Sequence, residues 1–149
     1  MTLRIAINGF GRIGRNVLRA LYTQGYRQHL QVVAINDLGS VADNAHLLRY
    51  DSVHGRFPGE IAVEGNTIHI TANGRSYAPI TVSAERDPSK VPYQGVDVAM
   101  ECTGLFTKKE SAAQLITAGA RKVLVSAPAD GVDATIVYGV NQNVITPEM

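Results

Sequence analysis

The chain has 149 residues, 45% of them hydrophobic and 18% charged, with a formal net charge of +1. That length suits one domain with a real core, and the charge balance gives no electrostatic reason for a nucleic-acid partner. A lone Cys102 excludes an internal disulfide and a paired-cysteine zinc site, and the sequence carries neither a signal peptide nor the roughly 18 consecutive apolar residues of a membrane span, so the expected setting is the cytoplasm, away from membranes.

Residues 3–7 read as a buried strand and residues 12–24 as a helix, with Ile13, Val17, Leu18 and Leu21 on one face. A second strand is expected over Leu30–Asn36 and a second helix over Val41–Arg49, after which YDSVHGRFPG breaks the pattern with two glycines and a proline. Residues 60–63, 67–71 and 77–84 are short β-prone runs separated by Gly65, Asn73 and Gly74, which predicts antiparallel hairpins inserted over residues 59–84. Beyond Asp87-Pro88 the alternation resumes: VDVAMECTG as strand, residues 107–117 as helix, KVLVSAP as strand and ATIVYG as a last strand. Thr107 and Glu110 have capping-box spacing for that helix, and Gly119 stands where its terminal turn should fall. Near-continuous apolar strands alternating with amphipathic helices specify an α/β domain: a Rossmann-type, doubly wound, mostly parallel sheet covered on both faces, with a small antiparallel hairpin insertion.

The stretch INGFGRIG carries the first chemistry. With 14 glycines in the chain, G-x-G-x-x-G arises by chance about 0.1 times over this length, so the spacing needs its context. The context is right: the first glycine ends a strand and the third lies in the first turn of a helix. Gly9 permits the tight turn, Gly11 lets a pyrophosphate approach the backbone, and Gly14 lets helix and strand pack closely. The N–H groups near Arg12 and Ile13, at the positive end of a helix, form an anion site without a basic side chain. The acidic partner that this fingerprint requires is Asp37, at the end of the second strand and 23 residues past Gly14. Its carboxylate suits the two adenosine ribose hydroxyls and repels a 2′-phosphate, favouring NAD, while the small Leu38-Gly39-Ser40 loop leaves NADP tolerance open. A turn aspartate without a ligand is the alternative reading of Asn36-Asp37.

INGFGRIGR, AIND, LLRYDSVHGRF, ERDP, ECTGLF, VSAPADG and VYGVN, in this order, resemble the N-terminal, NAD-binding part of phosphorylating glyceraldehyde-3-phosphate dehydrogenases almost from end to end. The erythrose-4-phosphate dehydrogenases share much of the pattern, but AIND and DSVHG look more like the glyceraldehyde-3-phosphate branch. The resemblance implies that Asn8, Gly9, Phe10, Gly11, Arg12 and Ile13 surround the pyrophosphate and adenosine, with Asn36 and Asp37 at the adenosine ribose. It puts Arg86 beside the adenine, a residue otherwise read as a solvated loop arginine. It further implies that Thr103 and Gly104 line the path to the nicotinamide ribose, that Phe106 packs beside them, and that Ser126 lies near the nicotinamide.

For the complete enzyme, the resemblance implies a cysteine thiolate that attacks the aldehyde, hydride transfer to NAD, and release of the acyl group by inorganic phosphate as 1,3-bisphosphoglycerate, a step of glycolysis. The family's nucleophile sits in an S-C-T-T-type motif that this sequence lacks. Cys102, on an apolar strand with no histidine placed beside it, reads as a packing residue, so no catalytic residue is assigned; His29, His46, His54 and His69 are scattered, and no metal site is expected. The expectation is one dinucleotide-binding domain over residues 1–149, inactive alone, with the triose phosphate as substrate only in the complete enzyme and a homo-oligomer, tetrameric in the family, as its assembly. A non-catalytic NAD-binding module is the alternative.

Overall fold

A computed structural model, which describes residues 2–149, puts the first strand at the middle of an eight-stranded sheet. In chain order the elements are β1 (Leu3–Asn8), α1 (Arg12–Thr23), β2 (Leu30–Asn36), α2 (Val41–Arg49), β3 (Tyr50–Asp51) and β4 (Gly55–Arg56). There follow β5 (Glu60–Glu64), β6 (Thr67–Ala72), β7 (Arg75–Ser76), β8 (Ile80–Ser83), β9 (Val98–Glu101), α3 (Lys109–Ala112), α4 (Gln114–Thr117) and β10 (Lys122–Val125). The sheet runs β10-β9-β1-β2-β8-β6-β5, with β7 beside β6, and every pairing from β10 to β8 is parallel. From β1 the chain first winds to β2 on one side and later to β9 on the other. That reversal opens a crevice beyond the carboxyl ends of β1 and β9, where open α/β sheets bind ligands.

Because a strand shows alternate side chains to opposite faces, β1 supplies two cores at once. Ile5 and Ile7 join Leu18, Leu21, Val32, Ile35 and Leu48 under α1 and α2. Ala6 joins Ala34, Tyr93, Val96, Ala99 and Leu115 under α4 on the other face. Val32 and Ala34 would share a face by simple alternation, yet they pack on opposite ones. The register explains it: Ile5 pairs Val32 but Ala6 pairs Ala34, so Val33 is a bulged extra residue that resets the phase of β2.

Three expectations need correction. The antiparallel pairing expected over residues 59–84 forms between β5, β6 and β7, but the segment over residues 77–84 gives only β8 (Ile80–Ser83), which lies parallel to β2 while pairing antiparallel to β6. The hairpins are therefore an extension of the main sheet, with β3 and β4 a separate two-stranded sheet. The helix over residues 107–117 is two short pieces, α3 and α4, with Ala113 between them at φ −64°, ψ −13°. Thr107 does not cap it: the Thr107 carbonyl accepts from Asp130 N–H and the Asp130 carbonyl accepts from Lys109 N–H, both at 2.9 Å, which holds this stretch in a bridge. Ser111 takes over the start, its hydroxyl donating to the Lys108 carbonyl at 2.9 Å. Finally, ATIVYG is not a strand. The Asn141 side chain accepts from Val137 N–H at 2.7 Å and donates to the Thr135 carbonyl at 3.0 Å, so local bonds replace a ladder and leave Tyr138 88% exposed.

A charge pair of modest worth ties the site to the β3–β4 turn. Asp51 accepts from Val53 and His54 N–H, each at 2.8 Å, and these bonds, with Arg12 at 3.8 Å, hold its carboxyl below the usual range. The Arg12 side chain is thus directed to Asp51 and only its backbone faces the glycine turn.

Candidate dinucleotide site

The turn between β1 and α1 is built by three glycines with three different constraints. Gly9 has φ +92°, and a Cβ there would lie 2.8 Å from the Thr103 backbone nitrogen, so the turn touches the far wall of the crevice. A Cβ on Gly14 would overlap the Gly9 carbonyl oxygen and come within 3.0 Å of Ile7 Cγ2, which is the close helix–strand contact in atomic form. A Cβ on Gly11 would meet nothing within 4 Å. The protein thus leaves open space above Gly11, the glycine that the dinucleotide fingerprint reserves for close approach of a ligand to the backbone.

Gly11 is the N-cap of α1, and no side chain caps it. The first N–H bonded within the helix is that of Arg15, to the Gly11 carbonyl at 3.0 Å, so those of Arg12, Ile13 and Gly14 have no backbone partner among the described residues. No acidic residue sits in the first turn to compete for them. These donors, at the positive helix end, can hold two phosphates without paying for a buried cation.

Asp37, just past β2, braces the turn from the side. One carboxylate oxygen accepts from Phe10 N–H and the other from Gly39 N–H, both at 2.9 Å. Each oxygen keeps a further lone pair, which is what ribose hydroxyls require. Phe10 is buried, its carbonyl accepts from the Arg15 guanidinium at 3.0 Å, and Gly9 N–H donates to the Asn36 carbonyl at 2.7 Å.

Beneath the crevice runs a feature that the spacing arguments missed. The parallel strands LRIAIN, LQVVAIN, ITVS and VAME each end on a polar residue, and register aligns them: Ser83 with Asn36, Asn36 with Asn8, Asn8 with Glu101. Ser83 Oγ donates to Asn36 Oδ1 at 2.8 Å, Asn36 Nδ2 to Asn8 Oδ1 at 2.8 Å, and Asn8 Nδ2 to Glu101 Oε1 at 2.6 Å. Asn36 also donates to the Glu85 carbonyl and accepts from Glu85 N–H, so all four of its amide valences are used within the protein. Asn36 is therefore fully bonded within the protein, and Asn8, buried beside it, belongs to the same crevice floor. The four strand-terminal polar residues were the available signal, but only the strand order makes them neighbours.

Of the other expected residues, Thr103 and Gly104 form the turn after β9, with Thr103 N–H and Oγ1 both donating to Glu101 Oε2. Phe106 is half-buried just beyond, and Ser126 is exposed at the end of β10, its N–H donating to the Glu101 carbonyl at 3.0 Å. Arg86 is exposed in the loop after β8, on the Asp37 side. Ile13, also exposed, flanks the opening.

Cys102 is half-buried against the core, and burial pushes its thiol up; the Ser126 hydroxyl offsets this in part and the Glu101 carboxylate adds to it. A protonated thiol is a poor nucleophile. In native protein at pH 8, labelling of Cys102 by a disulfide reagent should be at least roughly tenfold slower than in denaturant, and equal rates would show a thiol neither shielded nor shifted. Tyr93, fully buried below the same strand ends, is likewise kept neutral by burial and by the nearby Glu101 carboxylate.

Comparison with known proteins agrees with this geometry. The family model described as "Glyceraldehyde 3-phosphate dehydrogenase, NAD binding domain" matches residues 3–109. A glyceraldehyde-3-phosphate dehydrogenase of Xanthobacter flavus is 59% identical over 99% of this chain and 43% of its own length. Those of Pseudomonas aeruginosa and Cereibacter sphaeroides are 58% and 59% identical, over 97% and 99% of this chain and 42% and 43% of their own. The chain spans less than half the length of these curated relatives. With the glycine turn, Asp37 and the strand-end crevice in place, it belongs to the family of glyceraldehyde 3-phosphate dehydrogenase NAD-binding domains.

Proposed function

We propose that this chain is the cofactor-holding part of a phosphorylating glyceraldehyde-3-phosphate dehydrogenase, with one dinucleotide-binding domain over residues 1–149. The observation that carries this is the glycine turn, packed against Thr103 at Gly9, open above Gly11 and presenting unpaired helix N–H groups. When bound, NAD supplies the hydride acceptor; the residues of this chain bind and orient it. The N–H groups of Arg12, Ile13 and Gly14 face the pyrophosphate, and Asp37 accepts from the adenosine ribose. Arg86 lies beside the adenine, and Thr103, Gly104, Phe106 and Ser126 line the nicotinamide half. The triose phosphate, the thioester chemistry, the glycolytic and cytoplasmic setting and the homo-oligomer are proposed for the whole protein, whose nucleophile is not Cys102.

Calorimetric titration of this chain with NAD and NADP tests the reading. One NAD site is expected, with NADP at least roughly tenfold weaker because its 2′-phosphate meets the Asp37 carboxylate. Absence of NAD binding, or oxidation of glyceraldehyde 3-phosphate by this chain alone, would overturn it.

A further inference from the structure

Glu101 is a carboxylate 1% exposed at the end of β9, and no Lys, Arg or His pairs with it among the described residues. Burying such a group costs several kcal/mol unless hydrogen bonds replace its water. Three do. Oε1 accepts from Asn8 Nδ2 at 2.6 Å, while Oε2 accepts from Thr103 N–H at 3.0 Å and Thr103 Oγ1 at 2.6 Å. Thr103 Oγ1 in turn accepts from Leu105 N–H at 3.0 Å, closing the turn that contains Gly104. One carboxylate therefore grips both walls of the crevice: with one oxygen the β1 wall that leads into the glycine turn, with the other the turn after β9.

The strand order says which half of the ligand this grip serves. Asp37 follows β2, on one side of β1; Glu101 and Thr103 end β9, on the other. A dinucleotide laid across the reversal puts its adenosine half over β2 and its second mononucleotide over β9. We infer that Glu101 is a positioning residue for the nicotinamide-ribose half of the cofactor, acting through Thr103 by holding the Thr103–Leu105 turn at a set distance from the glycine turn. The inference rests on the NAD-binding reading and deepens it.

Glutamine at this position keeps the size but not the bonding. If its oxygen faces Asn8, its amide N–H groups confront the Thr103 N–H, and if it turns over they confront Asn8 Nδ2; one arm of the grip is lost either way. The test titrates wild-type chain and Glu101→Gln with both NAD and ADP. ADP spans the adenosine and the diphosphate but carries nothing over β9. Glu101→Gln is expected to weaken NAD roughly tenfold, from the loss of hydrogen bonds to a charged group, and ADP less than about twofold. Unchanged NAD affinity, or equal losses for NAD and ADP, would overturn the inference. Should Glu101→Gln fail to fold, Glu101→Asp keeps the charge but, one methylene shorter, cannot reach Asn8 and Thr103 together, and must show the same selective loss of NAD; equal or absent losses there overturn it too. Failure of the wild-type chain to bind NAD at all would instead strike the cofactor reading itself.

Discussion

Gly14→Ala is expected to destabilise the chain by about 2–3 kcal/mol, while Gly11→Ala, three residues away, leaves stability within about 1 kcal/mol of wild type and weakens NAD binding. The difference follows from where each new methyl goes. At Gly14 it drives into the Gly9 carbonyl and against Ile7 Cγ2, and neither is the far end of a flexible side chain; α1 must lift off β1, and the crevice deforms with it. At Gly11, φ is −75° and no protein atom lies within 4 Å, so alanine meets only a small loss in N-cap preference. The space it fills is the proposed approach path of the pyrophosphate, and NAD affinity should fall at least roughly tenfold. Thermal unfolding and calorimetry on both variants separate the two effects. Equal stability of the two variants, or undiminished NAD binding by Gly11→Ala, would contradict these assignments.

Asp37→Ala is expected to weaken NAD by roughly 10- to 100-fold and to bring the NAD and NADP affinities together. Hydrogen bonds to a charged acceptor contribute about 1.5–3 kcal/mol, and the same carboxylate supplies the repulsion that disfavours a 2′-phosphate. The variant also leaves Phe10 and Gly39 N–H without their acceptor, so some loss of stability accompanies it. The ratio of the two affinities isolates the ligand role, because a loosened loop weakens both cofactors alike. An unchanged ratio would reduce Asp37 to a brace for the glycine turn.

Much of the fold was legible because local pattern and tertiary environment agree in the first half of the chain. Leu30–Asn36 and Val41–Arg49 form with the predicted bounds, since a continuous apolar run suits a strand buried on both faces and Ser40 caps the helix through Asp43 N–H at 3.0 Å. Prediction failed where a tertiary partner outcompeted a local preference or where the partner that preference needed was missing. Thr107 had the spacing of a cap but was drawn into the bridge with Asp130. Residues 134–139 had β-branched character but no strand beside them, so Asn141 organised them into a turn. The break over YDSVHGRFPG was visible; its closure into β3 and β4 around Asp51 was not.

The same division runs through the site. The glycine spacing, the helix start and Asp37 are local facts, or nearly so: each constrains a turn whose geometry depends on neighbours in sequence, which is why the dinucleotide fingerprint can be read without a structure. The row from Ser83 through Asn36 and Asn8 to Glu101 is different in kind. Its members lie up to 93 residues apart, and four strand-terminal polar residues become a connected floor only when β8, β2, β1 and β9 are laid side by side in register. The sequence by itself determined what this chain holds, because phosphate recognition is written in short-range backbone chemistry; the tertiary structure alone decided how the two walls of the crevice are tied together, because hydrogen bonds between strands obey sheet order and register rather than distance along the chain.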